Sequence, residues 1–184
     1  SSDLAQADDR IMVVEADLMR ASGTMAFKQR FPDRAVDVGV AEANLVGVSA
    51  GLSAAGKIPF AATFGCFASR RVFDQFFISA NYARLNVKLV GTDPGISAAF
   101  NGGTHMPFED IGLMRMIPGL YIIEPSDPVS LKALVKACAA HQGCTYMRLH
   151  RKAVPALYEA GESFTLGKGK VLSDGRDVTI IALG

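Results

Sequence analysis

The sequence predicts a doubly wound α/β domain, a mostly parallel sheet with helices on both faces, and three observations carry that expectation. Apolar, β-rich runs alternate with helical patterns along most of the 184 residues. The runs are continuously apolar instead of alternating, which marks strands buried on both faces. The irregular stretches follow strands, where an open α/β sheet keeps its ligands, beyond the strand carboxyl ends.

Taken in order, the strands are IMVVEAD at 11–17, AVDVG at 35–39, IPFAATF at 58–64, NVKLVGTD at 86–93, LYIIEP at 120–125 and TYMRL at 145–149. Residues 40–56 are rich in Ala, Leu and Val and end at Gly56, as a helix closed by a C-terminal glycine does. Residues 68–84 place Val72, Phe73, Phe76, Phe77 and Ala80 at helical spacing, and 108–117 and 128–141 give two further helices closed by Pro118 and Gly143. Residues 18–34 and 93–107 read as irregular. The segment 150–176 is polar and turn-rich, and DVTIIALG at the end is strand-like.

Composition narrows the class. Apolar residues make up 49%, charged residues 20%, and the formal net charge is +1, which argues against disorder and against a nucleic-acid partner. The longest apolar runs are broken well short of the roughly 20 residues of a membrane span. No targeting segment is visible in SSDLAQADDR. Cys66, Cys138 and Cys144 are odd in number and lack ligand spacing, so they read as reduced thiols of a cytoplasmic protein.

Several residues have two readings. Glu42, just after AVDVG, is either a carboxylate favoured by the helix dipole or a proton partner to a bound heterocycle. His105, in NGGTH, is either a surface histidine or a catalytic one. Phe64 and Phe67, flanking Gly65 and Cys66, are either core or a platform for a flat ring. Arg148 and Arg151 are either solvated charge or a phosphate grip. No His/Cys/Asp cluster has metal-ligand spacing, so no metal held by this chain alone is expected, and neither a G-x-x-x-x-G-K-[ST] nor a G-x-G-x-x-G loop occurs.

The runs DVGVAEANLVGVSAGLSAAGKIPFAATF, CFASRRVFDQ, GGTHMPFEDIGLMRMIPGLYIIEPSDP and YMRLHR, in that order, resemble the pyrimidine-binding domain of transketolases, and most of all the C-terminal subunit of split transketolases. That resemblance implies thiamine diphosphate bound at an interface. Its diphosphate and a Mg2+ or Ca2+ ion would be held by a partner domain through a G-D-G motif absent from this chain. It implies that Glu42, in AEAN, bonds a ring nitrogen of the aminopyrimidine and favours the imino tautomer, whose nitrogen takes the thiazolium proton. It makes Phe64 and Phe67 the aromatic patch for the ring, His105 a catalytic residue contacting substrate, and Arg151 the grip on a sugar phosphate. The EADL loop and helix 108–117 resemble elements that face partner subunits.

Two departures bear on the substrate. The family's G-E-D-G before the histidine reads AFNG here, with Phe100 and Asn101 replacing both acids, so Asn101 becomes the substrate contact and an altered donor preference is expected. The serine often found after A-D-L is Ala21, followed by Ser22.

The activity implied is transfer of a two-carbon ketol unit from a ketose phosphate to an aldose phosphate, by a chain inert without its diphosphate-binding N-terminal subunit. The assembly implied is a homodimer or heterotetramer. The alternatives are the pyrimidine domain of deoxyxylulose-phosphate synthase or of a 2-oxo-acid dehydrogenase beta subunit, or a non-catalytic assembly partner. Residues 1–160 are expected to form the pyrimidine-binding domain, and 161–184 a linker opening a truncated C-terminal domain.

Overall fold

A computed structural model describes residues 2–184. Six strands, β1 (Ile11–Glu15), β2 (Ala35–Asp37), β3 (Ile58–Phe64), β4 (Lys88–Thr92), β5 (Tyr121–Ile123) and β6 (Thr145–Leu149), form one sheet in the order β2-β1-β3-β4-β6-β5. Every pairing is parallel, with Val13 beside Phe60 and Val90 beside Met147. The order reverses between β1 and β3, which puts a topological switch point beside the strand ends that carry the candidate residues.

Neighbouring residues on a strand enter opposite layers, as the two-residue period requires. Val14, Ala61, Leu89 and Tyr146 pack with Leu45 and Val46 of α4 (Glu42–Ala54) and with Val72, Phe76 and Met114. Val13, Phe60, Val90 and Met147 pack with Ala5, Phe27 and Cys138 on the other side. There the covering helices are α1 (Ser2–Ala7), α3 (Met25–Arg30) and α7 (Pro128–Ala140). Both faces of the sheet are covered, which is why its strands read as continuously apolar.

Helix α4 ends as expected. Gly56 adopts φ +83°, and the Lys57 amide donates back to the Leu52 carbonyl. At α7, Asp127 accepts from the Ser130 amide at 2.7 Å while the Ser130 hydroxyl receives the Asp127 amide at 3.0 Å, with Pro128 in the first turn. Lys88 is buried, and burial lowers its pKa to about 8; its ammonium donates to Asn86 Oδ1 and to the His141 and Gly143 carbonyls.

Three expectations need correction. Residues 18–34 contain α2 (Met19–Ser22), α3 and a 3-10 turn, Pro32–Arg34. Buried Glu15 organises them, accepting from Ser22 Oγ at 2.5 Å and Thr24 Oγ1 at 2.6 Å, while Phe27 inserts into the core. The helix expected over 68–84 is instead a π turn (Phe67–Arg71), a single helical turn α5 (Phe73–Gln75) and a second π segment (Phe76–Tyr82). The Ser69 hydroxyl donates to the Gly65 carbonyl at 2.7 Å, competing with the backbone ladder where the first π turn opens. The helix expected over 108–117 is the shorter α6 (Asp110–Met114).

DVTIIALG forms no strand, and Val178, Ile180, Ile181 and Leu183 are exposed. The three cysteines are free and buried, and burial pushes the Cys138 thiol up to about 11. Among the described residues no helix is long and apolar enough to cross a membrane.

Candidate functional site

The residues singled out in the sequence converge along one row at the carboxyl ends of the strands. Glu42 opens α4 immediately beyond β2 and is 4% exposed. Arg71, brought in by the π turn that follows β3, donates from Nη1 to Glu42 Oε1 at 2.7 Å. The Arg71 guanidinium also lies over the Phe67 ring at 3.9 Å.

Phe64, the last residue of β3, meets Phe67 edge-on at 6.0 Å. His105 closes the group, with its ring 5.3 Å from Phe64 and 5.2 Å from Phe67. Arg151, two residues beyond β6, places its guanidinium 5.4 Å from the Phe64 ring and 5.8 Å from that of Phe100. From Glu42 through Arg71, Phe67, His105 and Phe64 to Arg151, each side chain touches the next.

The local sequence explains these placements. Gly65 and Gly91 leave room where β3 and β4 meet the aromatic layer: a Cβ at Gly91 would lie 2.9 Å from the Gly65 Cα and 2.5 Å from the Tyr146 hydroxyl. The loop after β4 is drawn into two 3-10 turns, Ala99–Asn101 and Gly103–His105, joined by Gly102 at φ +81°. His105 Nδ1 is engaged with Thr104 Oγ1 at 2.9 Å, and Arg70 donates to the Thr104 carbonyl at 2.8 Å while pairing with Glu109 at 3.1 Å. The imidazole is thereby held through Nδ1, and Nε2 makes no hydrogen bond among the described residues.

A cleft of about 400 Å³ lined by Cys66, Phe67, Arg70, Arg71 and Thr104 lies beside this row. A larger cavity, about 460 Å³, sits on the opposite face of the sheet between α1 and α7 and gathers none of the row's residues. Size alone does not make it the site. The open cleft takes Phe67 and Arg71 from the row and adds the Arg70 guanidinium, with Glu42 bonded to Arg71 and with Phe64 and His105 packed on Phe67 at its edge.

The two remaining candidates part ways. Asn101 lies exposed in the first 3-10 turn, next to Phe100, and its side chain makes no hydrogen bond among the described residues. Arg148 faces inward: Nε donates to Asp110 Oδ2 at 2.7 Å and Nη1 donates to Glu124 at 2.9 Å. Tyr146 bonds the same Asp110 oxygen at 2.9 Å. Arg148 is therefore committed to the frame beneath the site, and Arg151 is the arginine left facing it.

Arg71 and Asp93 escaped the sequence reading. Arg71 had a signal, the S-R-R stretch that follows the aromatic patch. Asp93, fully buried after β4 and 3.1 Å from Arg151, stood at the join of the run 86–93 and the irregular stretch 93–107, with nothing in the sequence to single it out. Among the described residues no group of three or more His, Cys, Asp and Glu could hold a metal ion.

The residues present suit a planar, weakly basic heterocycle. Glu42 uses one carboxylate oxygen on Arg71 and makes no other side-chain hydrogen bond among the described residues, which leaves Oε2 for a ring nitrogen. Phe64 and Phe67 supply the apolar surface beside it.

The chain matches the family described as "Transketolase, pyrimidine binding domain" over residues 2–156. It is 54% identical, over 98% of its length and 56% of the relative's, to the 6-deoxy-6-sulfo-D-fructose transketolase subunit SqwH of a Clostridium species. It is 38% identical, over 99% of its length and 59% of the relative's, to an apulose-4-phosphate transketolase subunit of Phocaeicola vulgatus. A solved structure described as a split gene transketolase, inactive beta4 tetramer, superposes with a TM-score of 0.85 at 40% identity, covering 96% of this chain and 56% of that one. The chain thus spans somewhat more than half the length of these relatives.

Proposed function

This chain belongs to the transketolase pyrimidine-binding domain family, and we propose that it is the C-terminal subunit of a split, thiamine diphosphate-dependent transketolase. Its reaction is transfer of a two-carbon ketol unit from a ketose with a terminal anionic group to an aldose phosphate. Ketose phosphates are one class of donor. A sulfonated ketose is the other, supported by the 54% identity to a subunit named for 6-deoxy-6-sulfofructose.

The observation that carries this reading is the unbroken row from buried Glu42 to Arg151 at the strand ends. The cofactor supplies a nucleophilic carbon and an electron sink when bound, with its diphosphate and a Mg2+ or Ca2+ ion assigned to the partner subunit. Glu42 exchanges a proton with a pyrimidine nitrogen through Oε2, and Arg71 orients its carboxylate. Phe64 and Phe67 hold the ring and exclude water from it. His105, steadied through Nδ1, presents Nε2 to substrate oxygens. Arg151 binds the terminal anion, and Asn101 contacts a donor hydroxyl.

Residues 1–160 form the pyrimidine-binding domain in this reading, and 161–184 lead toward a further domain. The family match ends at residue 156, the relatives extend well beyond the matched length, and the apolar side chains near Ile180 are exposed. Assembly with the diphosphate-binding subunit, as paired heterodimers, completes the site.

The test is ketol transfer by the chain mixed with that subunit, thiamine diphosphate and a divalent cation. Activity in the mixture and in neither subunit alone supports the reading. A loaded complex that transfers no ketol unit from any ketose overturns it.

A further inference from the structure

Asp93 is the first residue after β4, wholly buried, in the left-handed backbone region at φ +59°. Few residues accept that conformation, and Asp and Asn are among those that do. Its amide donates to the Leu149 carbonyl at 3.0 Å, which fixes Asp93 against the end of β6 and two residues from Arg151. The Arg151 Nη2 atom lies 3.1 Å from Asp93 Oδ2, but the N–H groups are not aligned with it, and among the described residues neither carboxylate oxygen accepts a hydrogen bond.

This contrasts with the other buried aspartates. Asp110 receives Tyr146 and Arg148, and Asp127 receives four donors from Ser130, Leu157 and Tyr158. A buried carboxylate without hydrogen bonds is costly and rare, so its retention calls for a cause. Asp93 does not touch the aromatic row itself. What it touches is Arg151, the arginine at the far end of that row from Glu42.

We propose that Asp93 sets the charge of the subsite that receives the distal end of the ketose, so that Arg151 takes a singly charged terminal group in preference to a phosphate dianion. The proposal rests on the transketolase reading above. Alone, a guanidinium favours the ligand of higher charge. With a carboxylate 3.1 Å away the pair is formally neutral. A formally neutral pair has no net Coulombic bias toward a phosphate monoester, at about −1.5 to −2, over a sulfonate at −1, and the heavier desolvation cost of the more highly charged group then favours the sulfonate.

Other nearby ionisable groups do not restore the missing charge. His150 is turned toward Glu124 at 3.4 Å, and Arg148 is held by Asp110 and Glu124. His105 packs edge-on against Phe64 with Nδ1 engaged. The remaining lever is Asp93. It acts through Arg151, so it is a positioning and specificity residue and not a catalytic one.

The experiment compares fructose 6-phosphate with 6-deoxy-6-sulfofructose as donors for the assembled, cofactor-loaded complex. Wild type is expected to favour the sulfonate in kcat/KM. Asp93→Asn keeps the shape and suits the left-handed backbone while removing the charge. It is expected to shift the ratio toward phosphate by about tenfold or more, chiefly through a lower KM for the phosphate, with kcat on either donor changed by less than about threefold. Asp93→Gly, which also suits the backbone, serves if the amide variant does not assemble. A ratio that stays within twofold of wild type, or equal losses on both donors, overturns the role of Asp93 alone. A wild-type complex that assembles with cofactor and uses other ketoses but neither of these two overturns this proposal alone, whereas one that transfers no ketol unit from any ketose overturns the parent reading as well.

Discussion

Arg71 reaches from a half-exposed position to donate to Glu42 Oε1 at 2.7 Å, although the Glu42 side chain is only 4% exposed. An ion pair spanning that gradient orients a buried carboxylate while its second oxygen stays unbonded among the described residues. Glu42→Gln preserves the shape and can still accept from Arg71, but it cannot exchange a proton with a ring nitrogen. Ketol transfer by the assembled complex is expected to fall by about 100-fold or more. The circular dichroism spectrum and melting temperature should stay near wild type. A variant retaining most of its turnover would remove Glu42 from the proton path.

Phe64 meets three of the site's side chains: Phe67, His105 and the Arg151 guanidinium all lie against its ring. Phe64→Ala removes the centre of that contact set, and cofactor affinity measured by calorimetry on the complex should weaken by about tenfold or more. Phe64→Leu should fall between the two, because it keeps apolar area but not the flat face. Equal affinity in all three proteins would assign the ring platform to another residue.

The frame beneath the site depends on a close approach of backbones. At Gly91 an added Cβ would meet the Tyr146 hydroxyl at 2.5 Å and the Gly65 Cα at 2.9 Å. Tyr146 would have to move, and its bond to Asp110 Oδ2 would be lost from the network that also holds Arg148. Gly91→Ala is expected to destabilise the domain by about 1–3 kcal/mol in urea unfolding. Unchanged stability would mean that the two strands separate without cost.

The parallel sheet was legible because strands buried on both faces cannot alternate in hydropathy, and IMVVE and IPFAATF do not. Glu42, Phe64, Phe67, His105 and Arg151 were legible from the order of their motifs, and in space they form one connected row. The helices at 19–30 were not. They lack side-chain caps and owe their place to Glu15 binding Ser22 and Thr24, a tertiary contact with no local signature. The π turns at 67–71 and 76–82 were missed because the spacing of Val72, Phe73, Phe76 and Phe77 fits an ordinary helix equally well. Asp93 stayed hidden for a different reason. An aspartate where a strand run passes into an irregular stretch says nothing of an arginine 58 positions later, which only the β4–β6 pairing brings alongside.

Asp127 ties the segment after β6 to the start of α7. Burial alone would raise its pKa, but the Ser130 amide and hydroxyl and the Tyr158 and Leu157 amides all donate to it. They hold it well below the usual carboxylate range. The native state therefore binds this proton less tightly than the unfolded chain does. Its stabilising contribution is complete above the unfolded carboxylate pKa of about 3.9 and fades as the pH falls through the native value. Asp127→Asn loses the charge and offers a single acceptor oxygen where the carboxylate used two, so it should melt at a lower temperature than wild type at pH 7. The gap between the two melting curves should narrow steadily from pH 4 downward, because only the wild type has a carboxylate there to protonate. A gap that stays constant over that range would mean that the Leu157 and Tyr158 contacts act as neutral hydrogen bonds, with no contribution from the charge.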